Sequence, residues 1–112
     1  MKRIIKAFAY SYNGFVAAWG ETAFRQEIIL FVILLPVAII LPVSILAKGL
    51  LVSALVLILI AELANTAIET IIDRVSKARH PLSKKAKDIG SAIVLLSFIN
   101  AGVIWAAALL SI

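Results

Sequence analysis

The sequence predicts an all-α membrane protein, with three transmembrane helices preceded by an amphipathic helix on the membrane surface. Three observations carry that prediction. Hydrophobic residues make up 63% of the 112 positions, with a mean hydropathy of +1.11, whereas a soluble domain is usually about 45–50% apolar. Three apolar runs are each long enough to cross a hydrocarbon core of ~30 Å. Of the 11 Lys and Arg residues, all but Lys48 fall at the chain start, at Arg25 or between Arg74 and Lys87, which is a positive-inside pattern rather than a nucleic-acid-binding one. A chain of this length reads as a single membrane-embedded unit, residues 1–112. The absence of Cys excludes disulfides, thiolate metal sites and cysteine nucleophiles.

Residues 1–20 form the surface element. Ile4, Phe8, Tyr12, Phe15, Val16 and Trp19 recur at helical spacing, with Lys2, Lys6 and Asn13 elsewhere on the wheel. A secretory signal is the rival reading, but Tyr10-Ser11-Tyr12-Asn13-Gly14 interrupts any apolar core for it. The first span is expected over residues 28–46, uncharged throughout, with bends at Pro36 and Pro42. Ala47-Lys48-Gly49 reads as a tight turn into a second span over residues 50–72. Ser76 to Lys87 reads as a polar loop, with Ser83 as N-cap of the next helix, and residues 89–112 as the third span. Trp19 and Trp105 are expected to anchor the interfaces. Asn100, Ser97 and Ala101 are expected to serve helix packing. The cations place the N-terminus and the Ser76–Lys87 loop in the cytoplasm, and Lys48 and the C-terminus outside. All six acids fall on the cytoplasmic side as well.

The chemistry concentrates in one helical stripe. At about 100° per residue, Glu62, Asn65, Glu69 and Asp73 lie within roughly 80° of one another. Counted from Leu50, Glu62 is about 18 Å into the span, Glu69 about 28 Å and Asp73 about 35 Å. An ionisable group inside a span costs at least ~2.5–3.5 kcal/mol and by default marks function. Glu62 therefore suits a general base. Glu69, nearer water, suits a hard-cation ligand, since Mg²⁺ takes one or two carboxylates plus substrate phosphates. Asn65 can orient either group. Asp73, beside Arg74 and Lys77, could equally be a purely structural ion-pair partner.

Lys84, Lys85 and Lys87 are expected in the first turn of the third helix, where the macrodipole disfavours cations unless an anion joins them. Positive-inside topology accounts for Lys84 and Lys85, whereas Lys87-Asp88 is the better functional candidate. His80 stands alone and reads as a loop residue. Neither a G-x-x-x-x-G-K-[ST] loop nor a G-x-G-x-x-G turn is present.

Glu62-x-x-Asn65-Thr66-Ala67-Ile68-Glu69-x-x-x-Asp73, His80-Pro81 and Lys87-Asp88-x-Gly90-Ser91-Ala92 together resemble the prokaryotic integral-membrane diacylglycerol kinase family. Arg3-Ile4-Ile5-Lys6-Ala7, Tyr10-Ser11, Ala17-Ala18-Trp19 and Phe24-Arg25-Gln26-Glu27 resemble it too, so the likeness covers nearly the whole chain. The resemblance implies a homotrimer in the bacterial inner membrane. Its reaction would move the γ-phosphate of ATP to diacylglycerol, giving phosphatidic acid with Mg²⁺ as cofactor. It implies Glu62 as general base with Asn65 beside it, and Glu21 and Glu69 as metal ligands that also touch ATP. Arg3, Tyr10, His80, Lys87 and Asp88 would be the other nucleotide contacts. Arg3, Tyr10, Ser11, Trp19, Arg25, Gln26, Glu27, Glu62 and Ser91 would face the lipid substrate. The segment between Trp19 and Phe24 is one residue shorter than the family form, so Glu21 is assigned by counting back from Phe24. Undecaprenol kinases share the central motif, and Phe24-Arg25-Gln26-Glu27 leans towards diacylglycerol. Two readings from other classes are a small proton-coupled transporter built on Glu62 and a structural subunit of a larger complex. Neither needs a second ligand-like acid or the lysine-rich start of the third helix.

Overall fold

Each break in this chain has a local cause, and the breaks define four helices. The computed structural model describes residues 1–112 as α1 (Lys2–Trp19), α2 (Thr22–Ile40), α3 (Ile45–Val75) and α4 (Pro81–Leu110). The first break is at Gly20, whose N–H donates back to the Ala17 carbonyl while the Glu21 N–H donates to that of Ala18, and Glu21 itself is extended at φ −92°, ψ 130°. The second is set by Pro42. Proline disfavours helical backbone in the residue before it, and Leu41 accordingly sits at ψ 141°. The Val43 N–H then donates to the Leu41 carbonyl at 2.8 Å, closing a γ-turn around Pro42. Ser44 starts α3 by accepting from the Ala47 N–H at 3.1 Å.

This arrangement corrects two expectations. The first apolar helix ends at Ile40 rather than continuing to Leu46, and Ala47-Lys48-Gly49 is helical rather than a turn. The physical reason is relative cost: Gly inside a helix costs about 1 kcal/mol and Pro about 3, so the break falls at Pro42. Pro36 stays inside α2. Lys48 lies within α3 and its ammonium donates to the Ile39 carbonyl at the end of α2, satisfying one of the acceptors that a helix end leaves open.

The third break is shorter than expected. His80 caps α4, its Nδ1 accepting from the Leu82 N–H at 3.1 Å. Pro81 occupies the first helical position, where its fixed φ suits the helix and its missing N–H costs nothing. Ser83 is therefore not the cap, and the polar loop does not reach Lys87. Lys84, Lys85 and Lys87 project from beyond the first turn of α4, so the argument for an anion from the helix dipole does not hold for them.

α3 is the central element, packed along α4 on one side and against α2 on the other; α1 meets the rest of the chain chiefly through α2. Small residues make the close approaches. Ala38, Leu51 and Ala108 join all three long helices in one cluster, and Ala54, Ile58 and Ala101 join α3 to α4 in another. Ser97 and Ala101 are both buried, as their spacing predicts. Ile104 and Trp105 pack on both clusters. Trp105 is half-buried by this packing.

Only 14 residues are buried, far too few to keep so apolar a chain folded in water. α2, α3 and α4 are each long and apolar enough to cross a membrane. The 31 residues of α3 span about 46 Å, well beyond a ~30 Å hydrocarbon core.

Candidate active site

Helical periodicity brings Glu62, Asn65 and Glu69 to one face of α3, and the packing of α2 and α4 turns that face into a cleft. Its volume is about 260 Å³, and Glu21, Ala23, Glu62, Asn65, Thr66, Glu69, Ser91 and Val94 line it. Glu21 reaches it from the extended link between α1 and α2. It stands at the N-cap of α2 without using its side chain as a cap, so its carboxylate is free for another partner. Ser91 reaches the cleft from α4. Four positions separated along the chain therefore converge with Glu62.

Depth differs along the stripe. Because α3 starts at Ile45, Glu62 lies about 26 Å along the helix rather than 18 Å. It is buried, with 6% of its surface exposed. Glu69, about 10 Å further on, is half-buried. Asn65 bridges the interval, its Nδ2 leaning towards Glu69 Oε1 at 3.5 Å. Its Oδ1 is buried and unpartnered.

A second acid sits near Glu62: Glu27 on α2 is buried, and the two carboxyl groups are close enough to influence one another. Glu27 Oε2 has no hydrogen-bond partner in the chain. The sequence reading set Glu27 among lipid-facing positions and missed this pairing, which joins residues 35 apart in the sequence. Its signal was visible: Glu27 is the last charge before the apolar run of α2. The neighbouring Arg25 and Gln26 point outward instead, with Arg25 Nη2 donating to Thr22 Oγ1 at 3.4 Å.

Beyond Glu69 the same end of the α3–α4 pair opens into a larger cavity of about 680 Å³, lined by Asp73, Lys77, Arg79, His80, Lys84, Lys87 and Asp88 among others. Asp73 pairs with Lys87 at 3.2 Å across the two helices, not with its neighbours Arg74 or Lys77. Lys84 pairs with Asp88 at 2.6 Å along α4. Four cations and a histidine facing two acids make this cavity attractive to a polyanion.

Arg3 and Tyr10 lie elsewhere. With Lys2, Lys6 and Ala7 they line a separate groove on α1. Ser11 is occupied along its own helix, its hydroxyl donating to the Ala7 carbonyl at 2.9 Å. Trp19 is half exposed. Within one copy of the chain, α1 does not complete either the cleft or the cavity.

The donor set is oxygen-rich. The carboxylates of Glu21, Glu62 and Glu69 are hard oxygen donors, while the Asn65 amide turns its nitrogen towards Glu69. No group of three or more His, Asp or Glu side chains converges tightly enough to form a complete cage.

The chain is similar to known proteins over nearly its whole length. Residues 9–109 match the family model described as prokaryotic diacylglycerol kinase. The chain is 50% identical over 111 residues to a protein named diacylglycerol kinase from Pseudomonas aeruginosa, covering 98% of this chain and 90% of that one. It is 44% identical over 104 residues to the diacylglycerol kinase of Escherichia coli K12, covering 92% and 85%. It is 40% identical over 112 residues to that of Helicobacter pylori strain 26695, covering 99% and 88%.

Proposed function

The chain belongs to the prokaryotic diacylglycerol kinase family, and from that premise we propose that it transfers the γ-phosphate of ATP to the hydroxyl of diacylglycerol. The products are phosphatidic acid and ADP. The observation that carries the reading is the convergence of Glu21, Glu62, Asn65, Glu69 and Ser91 on one cleft that adjoins a cationic cavity. A lipid hydroxyl needs an acceptor for its proton at membrane depth, and a nucleotide needs cations at the water-facing end. α3 offers the first through Glu62, and the α3–α4 connection with the start of α4 offers the second.

Glu62 takes the proton of the lipid hydroxyl as that oxygen bonds to the γ-phosphorus. The bond from phosphorus to the β,γ-bridging oxygen breaks, and ADP leaves through the cationic cavity. Phosphoryl transfer of this kind depends on positioning and charge neutralisation more than on covalent help. Lys87 neutralises phosphate charge, with His80 and Asp88 beside it at the mouth. Glu21 and Glu69 would hold Mg²⁺, which would supply positive charge to offset that of the phosphates. Asn65 orients Glu69. Ser91, at the cleft wall, is available to the lipid headgroup.

The single chain leaves Arg3 and Tyr10 on α1 and a wide apolar surface on every helix. Both fit a homotrimer in which α1 lies in the bilayer surface and closes a neighbouring copy's site. The cation distribution supports an inner-membrane orientation with α1 and the α3–α4 connection on the cytoplasmic side.

The test uses purified protein in mixed micelles with labelled ATP and either diacylglycerol or undecaprenol. Phosphatidic acid is the expected main product, and Glu62→Gln lowers its rate about 10²–10⁴-fold, the range of general base catalysis, while the fold persists. Preference for undecaprenol would reassign the substrate, and normal turnover by Glu62→Gln would remove the assigned base. Flux driven by pH without ATP turnover would favour the transporter reading.

A further inference from the structure

One contact between α3 and α4 is tighter than packing alone requires. A Cβ placed on Gly90 would lie 2.2 Å from Asn65 Oδ1 and 3.3 Å from Asn65 Cγ. The next nearest atom, Ile68 Cδ1, would be at an ordinary 3.7 Å. Gly90 is buried, and at none of the other four glycines would a Cβ come closer than 3.3 Å to anything. Thus the amide of Asn65 occupies the volume that any side chain at position 90 would need. The Nδ2 end of the same amide is the one that leans on Glu69 Oε1 at 3.5 Å. Its Oδ1, pressed against α4, has no hydrogen-bond partner in the chain. Since no hydrogen bond holds that oxygen in place, the shape of the neighbouring helix must do so.

We propose that Gly90 is a positioning residue for the phosphoryl transfer. By presenting bare backbone to Asn65, it fixes the amide in the rotamer that directs Nδ2 at Glu69. This inference rests on the kinase reading of the cleft. A methyl group at position 90 drives the amide out of its seat before it disturbs either helix, because the clash is with a side-chain end and not with backbone. The damage is then local to Glu69 and its cation, and lipid capture is spared.

The experiment is a double-mutant cycle on the full chain in micelles, with Gly90→Ala, Asn65→Ala and the pair. Gly90→Ala is expected to fold and to lose about 10²-fold in kcat, the scale of an ångström-sized misplacement. The KM for diacylglycerol stays constant and the Mg²⁺ concentration for half-maximal rate rises. In the Asn65→Ala background, Gly90→Ala changes kcat less than twofold, because the group it displaces is gone. Fully additive losses, or a Gly90→Ala enzyme within twofold of the parent, would overturn the proposal. Should Gly90→Ala fail to fold, the double variant decides: recovery of the fold supports the wedge against Asn65, and continued failure refutes it. Side-chain amide resonances give a readout free of turnover. That of Asn65 shifts in Gly90→Ala while those of Asn13 and Asn100 do not, and an unmoved Asn65 signal would refute the idea. If the parent chain phosphorylates no lipid, the function is misassigned, and the resonance result still stands or falls by itself.

Discussion

Replacing Asp73 with Asn separates a structural acid from a catalytic one. Asp73 and Lys87 are 3.2 Å apart, with side chains 45% and 44% exposed. Coulomb's law at an effective dielectric of about 20 gives roughly 5 kcal/mol at that distance. Nearly half the pair faces solvent, so screening and the cost of ordering two side chains reduce its worth to about 0.5–1 kcal/mol. The fold hardly needs it. For the nucleotide the sign is reversed, because Lys87 must leave Asp73 to meet a phosphate and the remaining carboxylate repels the same phosphate. Asp73→Asn is therefore expected to lower the KM for MgATP about two- to fivefold, the equivalent of 0.5–1 kcal/mol. kcat stays within a factor of about two and thermal stability shifts by less than about 1 kcal/mol. The assay is initial-rate phosphorylation of diacylglycerol in micelles across an ATP titration, repeated at high salt, where the advantage should shrink. A raised KM, or a kcat lowered more than tenfold, would show that Asp73 takes part in the chemistry and refute this reasoning.

Other perturbations test other parts of the site. Glu69→Gln removes a cation ligand while keeping its shape, so the Mg²⁺ titration of activity should move to higher concentration with diacylglycerol affinity unchanged. His80→Ala removes the α4 cap and should cost about 1 kcal/mol in thermal unfolding; His80→Asp, a better cap, should recover it even if ATP binding does not follow. Leu51 is fully buried against Ala38 and Ala108. In lipid the unfolded reference is already apolar, so Leu51→Ala should lose only the packing part of the usual penalty, about 0.5–2.5 kcal/mol. Unfolding measured in micelles checks it, and a loss above about 4 kcal/mol would mean that water-driven burial still operates there.

The stripe on α3 was legible in the sequence because it depends only on the helical period, which places Glu62, Asn65 and Glu69 together wherever the helix goes. Ser97 and Ala101 were legible for the same reason. What a one-dimensional reading could not supply were contacts between helices: Glu27 against Glu62, Asp73 against Lys87, and Gly90 beneath Asn65. Hydropathy also ran past Pro42, since an apolar run records no stereochemistry, and the break there shifted Glu62 about 8 Å along its helix. The packing of Trp105 on two alanine-rich clusters was likewise a contact between helices that a preference of Trp for interfaces does not foretell.

The length of α3 has a consequence for the bilayer itself. About 46 Å of helix overhangs the hydrocarbon by roughly a third of its length, and the overhang carries Glu69, Asp73 and the cationic cavity out of the lipid. The helix is in effect a depth gauge. On the proposed reading of Glu62 as proton acceptor, its apolar stretch would set how far that acceptor sits below the headgroups, and a thicker or thinner bilayer would move it relative to the lipid hydroxyl. Hydrophobic mismatch costs only fractions of a kcal/mol per ångström, yet it acts along the axis on which acceptor and hydroxyl must meet. Turnover measured in bilayers of different thickness is therefore expected to vary, with one helix as the reader.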